Sequence, residues 1–223
     1  MNGISVGFAL ARVHARHAAR PTASDWRRLD AARTASQYLN YARQTGLRRW
    51  LHTVSEEETQ AGSELRLRTA YRHHVAEVAG WLPADSAPSA RLIAELPDLP
   101  TLDHLYRGGT PQPWMSDDPR LAEALETPPG QPPYATWLTR WTDLWPGPRH
   151  GPLSGRIGTA LRGIVTSGEA PRVAPRLHWA FRTHTLHAAG VYAYLGLVLD
   201  DLRLLAGGLA RRRPGESRHQ EAA

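Results

Sequence analysis

Two residue types are missing from this 223-residue chain altogether: cysteine and lysine. Without cysteine there is no disulfide, no thiolate metal site and no thiol nucleophile, and nothing points to secretion. Without lysine a Walker A phosphate loop is ruled out, and neither a GxGxxG nor a GxSxG motif occurs. Strand signals are scarce as well. No two alternating segments are joined by hairpin turn chemistry. Long apolar runs are also lacking. The longest uncharged stretch, Thr183 to Leu199, is interrupted by His184 and His187, falls short of a membrane span and reads as a buried helix. The start, MNGISVGFALARVHARHAAR, places its charges after a short apolar stretch, so no signal peptide is visible.

What is present is arginine, tryptophan and helical periodicity. All 27 basic residues are arginine, most simply from a GC-rich coding bias, and the net charge is +6. The charge is uneven. Residues 1–54 carry nine arginines against Asp25 and Asp30, whereas the stretch from Glu95 to Glu126 is net acidic. Such asymmetry suits a surface that meets acidic protein, nucleic acid or anionic lipid. Hydrophobic residues make up 41%, enough for a packed core.

Apolar residues recur at helical spacing along most of the chain. In residues 4–20, Val6, Leu10 and Val13 share one face and Phe8, Ala11 and Ala15 another, with Arg12, Arg16 and Arg20 in a stripe between them. Ser24 is the expected cap of a short helix carrying Trp26 and Leu29, and Thr34 of the next. Ser55-Glu56-Glu57-Glu58 reads as a capping box opening a helix that runs to Trp81. Twelve of the 18 prolines lie between Pro97 and Pro152. Residues 108–133 therefore read as a connecting region with one short helix after Pro119. Trp137, Trp141 and Trp145 follow at four-residue spacing, a pattern that favours core over an exposed stacking platform. Further helices are expected at 153–166, 173–187 and 188–206.

The expected fold is all-α: a multi-helix bundle of two small lobes, with the N- and C-terminal helices packed near each other. The lobes are placed at residues 1–107 and 134–213, joined by the proline-rich 108–133 and followed by a disordered polar tail, 214–223.

Chemistry-bearing constellations are few. His73 and Glu77 sit four apart on one helix beside His74, and a zinc site there would need partners such as His184 and His187. A solvated Glu–His pair is the simpler reading. Asp117-Asp118 precedes Pro119 and reads as a helix cap, and Asp200-Asp201 ends an apolar stretch. No catalytic, cofactor-binding or metal residue is assigned, and no cofactor is expected. The arginines of the first 54 residues keep open a basic nucleic-acid-binding module, and the histidines a metal-dependent helical enzyme.

Two segments carry a resemblance. GFALARVHARHAARPTASDWRRLDAARTASQYLNYARQTGLRRWL resembles the N-terminal region of the C-type subunit of bacterial and archaeal V-type ATPases, known as the d-type subunit in the eukaryotic enzyme. Phe8, Ala11-Arg12-Val13, Ala15-Arg16, Trp26, Leu29 and Thr45 occupy the matching places. VYAYLGLVLDDLRLLAGGLARR is similar to that family's last helix, through Tyr194, Leu195, Asp201, Leu202, Arg203 and Gly208. Family members are about half as long again and have three helical lobes, where this chain has room for two. The resemblance implies a non-catalytic helical adaptor between a rotor's central stalk and a membrane ring. It would be cytoplasmic, peripheral at the inner membrane through its protein partners, and without a small-molecule substrate. Arg12, Arg16, Arg20, Arg48, Arg49 and Arg107 are the expected protein-interface residues.

Overall fold

The computed structural model describes residues 5–52, 54–127, 129–146, 152–166 and 170–213, and these form helices joined by turns, with no strand among them. In chain order the α-helices are α1 (Val6–Ala18), α2 (Ala23–Asp30), α3 (Ala35–Ala42), α4 (Gln60–Ala79), α5 (Ala87–Leu92), α6 (Leu99–Tyr106), α7 (Pro119–Glu126), α8 (Pro133–Leu144), α9 (Pro152–Thr166), α10 (Ala170–Thr183) and α11 (Ala188–Ala210). Short 3-10 segments occupy Gly46–Trp50, Ile93–Asp98 and Pro113–Asp117.

Local chemistry sets the helix starts. Thr22 caps α2 in a reciprocal box with Asp25, so the helix opens two residues before the expected Ser24 cap. The backbone and side-chain hydrogen bonds from Thr22 hold the Asp25 carboxyl below its ordinary value. Thr34 caps α3 as expected, accepting the Gln37 N–H at 3.2 Å. The Ser55–Glu58 box does not open α4. Glu58 instead turns back to Arg66, and Thr59 Oγ1 accepts the Gly62 N–H at 3.0 Å, so the helix begins at Gln60.

The chain divides into two compact units, each made of separated stretches. One takes residues 1–14 and 71–200, the other 15–70 and 201–223. This differs from the expected lobes. Residues 108–133 lie wholly inside the first unit, and α1, α4 and α11 each contribute to both. Chain order does not translate into lobes because long helices cross from one unit to the other. The tail at 214–223 lies outside the described residues.

In the first unit α11 is the centre. From Ala188 to Asp200 every residue is buried, as a helix apolar on all sides requires. Tyrosine hydroxyls on and around it turn to backbone carbonyls. Tyr192 donates to the Ser86 carbonyl at 2.8 Å, and Tyr71 donates to the Leu195 carbonyl at 3.1 Å. Burial raises both phenols well above their ordinary range. The tryptophan stripe of α8 packs inward, with Trp137 and Trp141 at 1% and 0% exposure. Each indole N–H finds a carbonyl, that of Leu92 at 3.0 Å and that of Ser154 at 3.1 Å. That pairing is what lets an indole be buried without a polar penalty.

The proline-rich region is held as part of this unit. Leu105, Met115, Leu121 and Ala124 form a satellite core with Leu102, Trp114 and Leu125 around it. Asp118 is the cap of α7, its side chain accepting the Arg120 N–H at 3.1 Å, and it is fully buried. Its charge is met by Arg72 of α4, with Nη2 at 2.7 Å from Oδ2, while the same nitrogen also binds buried Asp98. One guanidinium thus ties α4, the Ile93–Asp98 turn and the start of α7.

The second unit packs the last described residues against α2, α3 and the start of α4. Arg212, just past α11, donates to the carbonyls of Leu29, Asp30 and Ala32 at the end of α2, and Arg213 reaches Ser63 Oγ at 2.8 Å. Tyr38 of α3 lies against α11 at Gly208, where a Cβ would fall 2.1 Å from its hydroxyl. Gly208, a poor residue for a helix interior, is therefore what admits the ring. Burial pushes the Tyr38 phenol up to about 12.

Replacing Arg72 with Met should cost about 3–5 kcal/mol in urea unfolding, because fully buried Asp118 loses its cation and Asp98 keeps only the longer pair with Arg120 at 3.7 Å. A loss below about 1 kcal/mol would show that the carboxylates are hydrated.

Candidate functional site

The six arginines expected to face partners have different surroundings. Arg12 is exposed on α1, its guanidinium 4.8 Å above the Phe8 ring and 4.8 Å above the Trp81 ring. These stacks orient the charge and cover half-exposed Phe8. Arg16 is half-buried on the same helix. Arg107 is exposed and bound to Asp103 one turn earlier, at 2.9 Å. Arg20 is turned inward. Its Nε lies 2.6 Å from Asp201 Oδ2 and its Nη2 2.9 Å from Oδ1, with the arginine side chain 11% exposed. Burial pushes the Asp201 carboxyl above its ordinary value, and the Arg20 hydrogen bonds oppose that shift. This pair joins α11 to the end of α1 within the second unit, so its arginine serves the fold directly.

Arg48 and Arg49 come together with residues that the sequence does not single out as a group. Both are exposed on the Gly46–Trp50 turn. Thr45 builds that turn by accepting the Leu47 N–H at 3.2 Å and donating to the Ala42 carbonyl at 2.8 Å. Gly46 is required there because a Cβ would sit 1.7 Å from the Ala19 carbonyl oxygen. The result is an open basin of about 780 Å³ lined by Arg43, Thr45, Arg48, Arg49, Leu51 and His52. Arg43 is fixed by donating to the Val54 carbonyl at 3.0 Å, and Arg49 lies 4.3 Å over the Trp50 ring. His52 Nδ1 lies 3.0 Å from the Arg49 carbonyl. Among the described residues the lining holds three guanidinium groups, an imidazole and no carboxylate, and guanidinium groups are the donors that pair with carboxylates and phosphates; Arg49 also acts electrostatically on the Asp201 carboxyl. His52 is the member that sequence reasoning misses, and Arg43, counted there only among the basic residues of the first 54 positions, is not expected at the protein interface. The signal present is the Thr45-Gly46 break, which curls the chain so that positions 43 and 52 flank the arginine pair.

The other constellations resolve into structure. His73 is exposed, whereas His74 is buried with Nε2 3.1 Å from the Tyr194 hydroxyl and Nδ1 3.8 Å from Glu77. Among the described residues no group of three or more His, Asp or Glu side chains is placed to hold a metal ion. His184 and His187 are neighbours, ring centroids 6.5 Å apart, and His187 caps α11 by accepting the Ala189 N–H at 3.0 Å. Asp118 is a cap, as expected, and Asp201 is the partner of Arg20. Among the described residues no helix is long and apolar enough to cross a membrane.

Comparison of the chain with protein-family models, with curated proteins and with solved structures returns no match. The described residues define no more than an all-helical fold with an arginine-lined basin at its surface.

Burial, and then the neighbouring His184, hold His187 below its ordinary value of 6.5. A histidine held neutral contributes stability that is present above the unfolded value and lost as pH falls through the folded one. His187→Asn keeps a cap acceptor but cannot titrate. It should flatten the decline in melting temperature between pH 7 and pH 5. An unchanged slope would remove His187 from the acid response.

Proposed function

We propose that the chain is a non-catalytic helical adaptor that grips an acidic surface of a partner protein through the Arg43–Arg48–Arg49–His52 basin. The carrying observation is that basin itself: cationic side chains from either side of one turn line one open concavity, with Arg48 exposed in it. Bidentate guanidinium groups recognise carboxylates by geometry as well as charge. The resemblance to a V-type ATPase component supplies the setting for this reading. There, a helical part lies between a central stalk and a membrane rotor ring and works through its contacts, cytoplasmic and peripheral to the membrane. Such a part needs well-packed helices, and the buried ion pairs at Arg72 and Arg20 serve that need.

A basic nucleic-acid-binding module is the second reading, because the same basin accepts phosphates. The two readings separate experimentally. Tagged protein is cross-linked in its own cells, and partners are mapped by mass spectrometry for the wild type and for Arg48→Glu/Arg49→Glu. A rotary-ATPase stalk or ring component, cross-linked through an acidic segment, should be lost at least tenfold in the variant. Arg49 also stacks on Trp50 and acts on Asp201, so the single Arg48→Glu variant, at an exposed position, serves as the control whose folding stability should change by less than about 0.5 kcal/mol. Capture that ignores the charge reversal overturns the adaptor reading. A mobility shift that weakens steeply with salt and vanishes in the variant assigns the basin to nucleic acid.

A further inference from the structure

The first unit carries a second concave surface, of different chemistry. Helices α9 and α10 pack together, and along them runs a half-open groove of about 860 Å³, lined among others by Leu153, Ile157, Ala160, Leu177 and Trp179. That size falls in the range of about 300–1,000 Å³ typical of ligand clefts. Its apolar character is unusual for a surface. Trp179 is 52% exposed there, although Trp137 and Trp141 of the same unit are almost wholly covered. Tryptophan exposed in a concave apolar setting is the residue type that dominates binding energy at protein interfaces.

Among the described residues the charges in the lining of the groove are all of one sign. Neither α9 nor α10 contains Asp or Glu, while Arg156 and Arg176 stand exposed in the lining and Arg182 is exposed one turn beyond Trp179. The occupant that complements this is apolar on one face and acidic along its margins. Its shape follows from the lining. The α9 residues run from Pro152 to Ala160, about 12 Å at 1.5 Å per residue. Two turns of a partner helix, with apolar anchors at i, i+4 and i+7, match that length and lie in the furrow between two helices. A flat bilayer surface would not fill a concave furrow.

We propose that the α9–α10 groove is a docking site for an acidic amphipathic helix of a partner protein, anchored on Trp179 and flanked by Arg156 and Arg176. This goes beyond the basin and does not depend on it. The two surfaces belong to different units of the chain.

The groove provides its own blocking variant. Gly155 lies in the lining, and nothing stands within 4 Å of where its Cβ would be. Leucine placed there projects into open space, and replacing a helical glycine favours the helix. Gly155→Leu therefore fills the groove without disturbing the fold.

The test is a selection from displayed 20-residue helical peptides, with leucine, isoleucine or phenylalanine at i, i+4 and i+7 and with Glu, Gln or Lys randomised at the flanking positions. Binding of the selected sequences is then measured by calorimetry on the full chain. Glutamate-flanked peptides should be enriched. Their affinity should fall at least tenfold in Trp179→Ala and in Gly155→Leu, with the melting temperature of Gly155→Leu unchanged or raised. Arg156→Glu/Arg176→Glu should turn the preference towards lysine flanks. Arg48→Glu/Arg49→Glu should leave peptide binding unchanged, which separates failure of this site from failure of the basin. The proposal is overturned by no enrichment, by enrichment blind to Trp179 and Gly155, or by lysine-flanked winners on the wild type. It is equally overturned if phosphatidylglycerol vesicles or oleate bind in a Trp179-dependent way more tightly than any peptide, which would make the groove a lipid site.

Discussion

A helix with no polar side can exist in water only if other elements surround it, and α11 imposes that condition on the protein. Over Ala188–Asp200 it offers Val191, Leu195 and Val198 in one direction and Tyr192, Tyr194 and Leu199 in others, all buried. Burying such side chains contributes about 1.5–3 kcal/mol each. The rest of the first unit follows from the demand. The Trp141 and Trp145 rings meet Tyr192 at centroid distances of 5.3 and 5.5 Å. Phe181 packs towards Tyr194, and the absence of a side chain at Gly196 lets Leu161 and Leu177 approach. The buried tyrosine hydroxyls and tryptophan indoles carried inward by this wrapping turn to backbone carbonyls or, at Tyr194, to His74, as the low-dielectric interior demands.

Arginine does three different jobs in this molecule, and its surroundings decide which. Arg72 and Arg20 neutralise buried carboxylates and so fix helix to helix. Arg212 and Arg213 satisfy carbonyls at helix ends and in the adjoining turns, a task the five donors of a guanidinium suit. Arg48 and Arg156 face open space in their respective concavities. A chain without lysine asks one side chain to serve all three roles, and composition alone cannot tell them apart.

The two concave surfaces differ in chemistry, one lined by arginines and a histidine, the other apolar with a cationic rim. Under the proposed readings the basin would select by charge and bidentate geometry, a contribution that fades with salt. The groove would select by shape and apolar burial, which salt does not weaken, with only its rim reading charge.

Much of the fold is legible in the residue order. Helical periodicity, the Thr34 cap, the Asp118 cap, the inward tryptophans of α8 and the buried character of α11 all follow from spacing and side-chain chemistry over a few turns. The start of α4 is not legible, because Glu58 has a better partner in Arg66 than the backbone of its own first turn. The division into units, the joining of Arg20 to Asp201 across 181 positions, and the gathering of Arg43, Arg48, Arg49 and His52 were decided by tertiary structure. So was the exposure of Trp179, which sequence treats like any other tryptophan. Local sequence sets which face of a helix is apolar. Which apolar face remains uncovered, and which arginine meets a carboxylate, depends on residues brought together from far along the chain, and those meetings exist only once the chain has folded.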